Sequence, residues 1–151
     1  MELLSLKVRM VYSDELLNAL QGMDPEFLTA VLNTLPVEFT VLDEKDNVVF
    51  WNRHGVRIFK RGPAVIGRDV RICHPAKSQA LVDRVISVLK SGKQDRVDFW
   101  LNSPEDSSQK LLIRYYAVRS KKGAYLGMIE TTTNITPLQG FEGENLLGTF
   151  E

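Results

Sequence analysis

Residues 110–120 read KLLIRYYAVRS, Lys110 to Ser120. Branched and aromatic side chains dominate, and they alternate along the chain. Leu111, Ile113, Tyr115 and Ala117 fall on one side, Arg114 and Tyr116 on the other. A period of two with one apolar face is the mark of a strand that covers a core on one side only. Two further strand-like runs flank it, RVDFWLN (96–102) and AYLGMIETTTNI (124–135). The links between them, SPEDSSQ and KKG, are turn-like, so neighbouring strands reverse direction.

Working outward, EFTVLDEKDNVVFWN (38–52) holds two apolar runs around Asp43-Glu44-Lys45-Asp46-Asn47, a polar cluster that predicts a hairpin turn. RHGVRIFKRGPAVIGRDV (53–70), punctuated by Gly55, Gly62, Pro63 and Gly67, allows only short helical turns. HPAKSQALVDRVISVLKSG (74–92) predicts the longest helix. Leu81, Val85 and Leu89 share its face, Pro75 suits its first turn, His74 takes the N-cap position, and Gly92 closes it.

Upstream, MDPEFLTAVLNTLP (23–36) predicts a helix capped by Asp24 with Pro25 as its first residue. Leu28, Val31, Leu32 and Leu35 form its apolar stripe, and Pro36 ends it. SDELLNALQG (13–22) predicts a shorter helix before it. Two strands, a helical middle and three strands define an α+β fold: one five-stranded antiparallel sheet with helices on one face. The N-terminal helices are expected on the other face, with Trp100 and Tyr116 meeting Leu28 and Leu32. The expected divisions are an N-terminal helical segment (1–35), the sheet domain (36–137) and a tail (138–151), which sustains no heptads.

The 151 residues suit one domain able to bury a core. Lys plus Arg and Asp plus Glu balance at 19 each, which argues against a nucleic-acid partner or an anionic membrane surface. The single cysteine, no run long enough to span a bilayer and no signal-peptide pattern point to the cytoplasm.

The order of motifs resembles a PAS domain over residues 36–137. VLDEKDNVVFWN is similar to the opening hairpin of that family, closed by Asn52; GVRIFKRGPAVIGRDV resembles its short helices, ending in Ile66-Gly67-Arg68. CHPAKS resembles the His-Pro that opens the long helix, and TNIT the closing Asp-Ile-Thr, with Asn134 in place of the aspartate. More narrowly, ICHPAKS, IRYYAV and YLGMIETTTNIT are similar to the C-terminal PAS domain of certain bacterial and archaeal hemerythrin-like proteins. Their di-iron ligands lie on a separate bundle and are absent here. The resemblance implies a sensory module in a larger signalling protein.

Cofactor signatures known in PAS domains are not matched. Where flavin photosensors carry an adduct-forming cysteine, the matching stretch here is Asp69-Val70-Arg71-Ile72; the long helix, Pro75 to Ser91, contains no haem-ligating histidine. Neither flavin nor haem is supported, and any cofactor stays unknown.

VRICHPAKS (70–78) places the only cysteine, Cys73, beside His74. Metal sites need three or four ligands, and no second His or Cys lies at useful spacing. The structural reading of this pair outweighs a small-ligand contact by His74, and both outweigh redox chemistry. His54 is read as an exposed loop residue. A helix-roofed sheet face is expected to centre on Phe50, Phe59, Ile66, Leu81, Val85, Phe99, Ile113 and Tyr115. Either these pack together as core, or they line a small apolar pocket oriented by Asn52, His74 and the Tyr115 hydroxyl.

No motif for hydrolysis, phosphate binding or zinc catalysis occurs, and Asp43 with Asp46 belongs to a turn. The expectation is therefore a non-catalytic module binding a small apolar ligand or a protein partner, dimeric through its N-terminal helices. The rivals are a structural dimerisation domain with a filled interior, and an enzyme pairing His74 with Glu130.

Overall fold

A computed structural model describes residues 14–52, 57–145 and 149. Two helices, α1 (Asp14–Gln21) and α2 (Pro25–Thr34), precede the strands β1 (Glu38–Asp43) and β2 (Val48–Trp51). α3 (Ala76–Lys90) follows, then β3 (Arg96–Asn102), β4 (Lys110–Arg119) and β5 (Tyr125–Asn134). The strands form one antiparallel sheet in the order β2-β1-β5-β4-β3, the α+β architecture expected. The last strand thus lies in the middle, between β1 and β4.

The first hairpin forms where the polar cluster predicts it. Asp43 Oδ1 accepts from the backbone N–H of Lys45 and of Asn47, both at 2.9 Å, while Asp46 takes the left-handed conformation at φ 70°. The short edge strand β2 does not stay open. Gly67 N–H donates to Val48 O (2.7 Å), and Val48 N–H donates to Arg68 O (2.9 Å). Occupying these groups removes a template for unwanted strand pairing.

In the middle of the sheet β1 and β5 come unusually close. Gly127 of β5 sits at φ 151°, and a Cβ there would run into the Leu42 carbonyl oxygen, so only glycine fits.

The pleat puts Leu42 of β1, Val48 of β2 and Met128 of β5 on the inner face. Val85, Ile86 and Leu89 of α3 close over them together with Val70, and this is the core. Ser91 caps α3, and Gly92 follows at φ 74°. The start of α3 differs from the expected one: Pro75 is its N-cap, and His74 lies one residue outside. His74 instead ends a 3-10 turn over Val70–Cys73, its N–H donating to Arg71 O (3.1 Å).

α2 has the expected cap, Asp24 Oδ1 accepting from Glu26 N–H (2.9 Å) and Phe27 N–H (3.1 Å). Its expected meeting with Trp100 does not follow. Asn52 Nδ2 donates to Leu32 O (3.2 Å), which ties α2 to the β1–β2 end of the sheet. β3 lies three strands from β1, about 14 Å at the usual strand spacing. Trp100 therefore stays 70% exposed. Among the described residues no helix is long and apolar enough to cross a membrane.

Candidate functional site

The site begins with a buried anchor on β1. Glu38 accepts hydrogen bonds from the N–H groups of Ile58 (Oε2, 2.7 Å) and Phe59 (Oε1, 3.1 Å), and it pairs with Arg57 at 3.2 Å. Arg57 in turn donates to Asn52 O (2.6 Å), Phe59 O (3.1 Å) and Thr40 Oγ1 (3.3 Å). These bonds hold an irregular segment, which has no ladder of its own, against the sheet. Phe59 and Arg61 are thereby delivered to the inner face.

There Arg61 meets Glu130, which β5 presents beside Tyr115 of β4. Arg61 Nη2 lies 3.6 Å from Glu130 Oε1, with side chains only 8% and 10% exposed. Burial pushes the Glu130 carboxyl up from its ordinary value, Arg61 opposes this, and the charge of Glu38 adds to it. Burial and Glu130 likewise push the Tyr115 phenol up. His74 is pushed down by burial and by the nearby Arg61 charge, so it is held as neutral imidazole at neutral pH.

Between this polar corner and α3 lies a cavity of about 460 Å³. Its roof is the start of α3 with the preceding turn: Cys73, His74, Ser78, Leu81 and Val82. Its floor is Phe99, Ile113, Tyr115, Met128 and Glu130, with Phe59 and Arg61 at the side. Phe99 meets Tyr115 edge-on, ring centres 6.0 Å apart.

Of the residues proposed from sequence, Phe59, His74, Leu81, Val85, Phe99, Ile113 and Tyr115 come together here. Phe50 and Asn52 do not. A bulge between Val41 and Leu42 pairs Phe50 with Val41, turning it to the outer face, where its ring lies 5.7 Å from that of Phe39. Asn52 is fully buried but already satisfied. Its Oδ1 accepts from Phe39 N–H (2.8 Å), and its Nδ2 donates to Val37 O (2.8 Å) and Leu32 O. Ile66 is 48% exposed and away from the cavity wall. His54 lies outside the described residues.

Arg61 and Glu130 were not among the proposed ligand-binding residues. The signal for Glu130 was present: it alternates with Met128 and Thr132 along β5, so a carboxylate occupies a position that faces the core. Arg61 carried no such signal, because its segment has no period.

Among the described residues His74 makes no hydrogen bond or ion pair with Glu130, which leaves the acid/base reading without the contact it requires. No group of three potential metal ligands occurs among those residues either.

An antiparallel sheet roofed by one long helix and short turns over a cavity is the architecture of the family that the chain matches. A family model described as PAS domain matches residues 28–136, and the chain belongs to that family. A crystal structure of a C-terminal domain from Streptococcus mutans is 30% identical, with 80% of this chain and 91% of that one covered and a TM-score of 0.74. The PAS domain of BvgS from Bordetella pertussis shares the fold at 14% identity, with 74% and 85% covered and a TM-score of 0.58. A sensory box sensor histidine kinase from Vibrio cholerae does so at 14% identity, with 79% and 96% covered and a TM-score of 0.53. No curated protein matches the chain. PAS domains are generally sensory modules without catalysis.

Proposed function

We propose that this chain is a non-catalytic sensory module whose cavity binds a small, mostly apolar ligand, occupancy being passed on as a change in packing between the sheet and the N-terminal helices. The observation that carries the reading is the cavity of about 460 Å³ beneath α3. Small-molecule sites are typically ~300–1,000 Å³, apolar with a few placed polar groups. The cavity beneath the start of α3 supports this reading over a purely structural dimerisation domain, which needs a filled interior. A ligand shifts packing only through unequal affinity for two arrangements.

The setting we propose is a cytoplasmic protein of which this is the C-terminal part, of signalling or hemerythrin-like type. The likeness to a domain described as C-terminal in Streptococcus mutans supports that position. In this reading residues 36–137 are the sensory domain; the N-terminal helical segment, 1–35, and the tail, 138–151, extend beyond the described residues. Homodimerisation through the N-terminal helices fits the exposed Leu16, Leu20, Phe27, Val31 and Leu35. Balanced charge supports the absence of a nucleic-acid partner.

Native mass spectrometry of the purified chain, with an absorbance scan, tests this. A dimer that retains a small-molecule mass is expected. Bare polypeptide that takes up nothing from a small-molecule library would return the domain to a structural role.

A further inference from the structure

The Arg61–Glu130 pair is incomplete. Both side chains are at least nine-tenths buried, yet their nearest approach is 3.6 Å, beyond hydrogen-bond length. Among the described residues neither side chain donates or accepts a hydrogen bond, and Arg61 Nε has no partner. The neighbouring pair behaves differently: Glu38 and Arg57 are saturated with backbone and side-chain partners. A buried ion pair is tolerated only when further hydrogen bonds satisfy its remaining protons and lone pairs. Both members of the incomplete pair line the cavity.

The charge around this corner selects the class of molecule. Two guanidinium groups, Arg57 and Arg61, stand against two carboxylates, Glu38 and Glu130, and these groups act on Glu130 together. The sum is zero, so a charged ligand would enter desolvated without a free counter-charge. Cys73, His74, Ser78 and Tyr115 add uncharged polar groups, and the other walls are apolar.

Resting on the ligand-binding reading above, we propose that the cavity takes a small neutral, largely apolar ring compound with a hydrogen-bond acceptor and donor side by side, of cyclic secondary-amide type. The acceptor meets the Arg61 guanidinium, the donor meets a Glu130 carboxylate oxygen, and the rings lie among Phe99, Leu81 and Val82. Such an edge supplies to both ions what the other described residues do not.

Three bicyclic probes of similar shape test it on the full chain by chemical-shift titration: quinolin-2-one, naphthalene and 2-naphthoate. Quinolin-2-one is expected to bind at least tenfold more tightly than either of the others. In Arg61→Met that advantage over naphthalene disappears while naphthalene binding persists; in Glu130→Leu it shrinks in the same way. If a variant fails to fold, the wild-type comparison decides alone. Naphthalene binding as well as the lactam, or 2-naphthoate binding best, would overturn the neutral donor–acceptor class and leave a ligand cavity standing. No shift at cavity residues with any probe would remove both.

Discussion

The two ends of α3 cover the inner face of the sheet in different ways. Its C-terminal half sets Ile86 and Leu89 into Leu42, Val48 and Met128, and there the interior is closed. Its N-terminal half stands off Phe99, Ile113 and Glu130, leaving the cavity. Val70, Val85 and Met128 belong to both ends and mark the boundary. One helix on one sheet thus supplies a closed apolar layer that stabilises the domain and a hollow, polar-cornered one that costs it stability. Such a division is what the proposed ligand site requires.

The largest test of that contrast is truncation. Leu89→Ala at a fully buried position is expected to lower stability by about 2–5 kcal/mol, read as a shift of the urea midpoint. Leu81→Ala, at a 48% exposed position on the cavity wall, is expected to cost under about 1 kcal/mol. Equal losses would break the comparison. Next in size, Asn52→Ala leaves Phe39 N–H and Val37 O without their partner and is expected to cost about 1–3 kcal/mol. Because Asn52 is outside the cavity wall, probe affinity in the folded variant should not change.

A pH series sharpens the contrast from the polar side. Glu130 has its carboxyl raised, so the folded state holds the proton more tightly than the unfolded chain does. Stability on its account falls as pH rises from about 4.5 through the higher folded value. Glu130→Gln is expected to flatten that fall in urea titrations, and an unchanged profile would show the carboxylate to be well compensated. His74 acts in the opposite sense. Its pKa is lowered, so its contribution is lost as pH drops below about 6.5, and His74→Gln should reduce that loss. The smallest effect is at Cys73, half-buried and free: Cys73→Ser is expected to change stability by under about 1 kcal/mol and probe binding hardly at all.

Most of the fold was legible because its signals are local. Asp43 to Asn47 reads as a turn since the Asp43 carboxylate reaches its own next residues, and Asp24 with Pro25 reads as a helix start for the same reason. The site was legible in part. Alternation along β3 and β4 placed Phe99, Ile113 and Tyr115 on the inner face, and the bases for Leu81 and Val85 lay in the helix period. Phe50 was misplaced because a bulge adds one residue and reverses the faces, an event that a period of two cannot signal. Asn52 was misread because the groups that satisfy it, on Leu32, Val37 and Phe39, come from separate parts of the chain.

The amino-acid order by itself settled the elements, the antiparallel sheet and the helix that roofs it, since periodicity, caps and turns act over a few residues. Tertiary structure alone decided that β5 lies between β1 and β4, and that Arg61, from a segment without a period, meets Glu130 at a cavity wall. The reason is physical: a hollow and a buried charge pair exist only where distant segments converge, and no local pattern encodes how closely they approach.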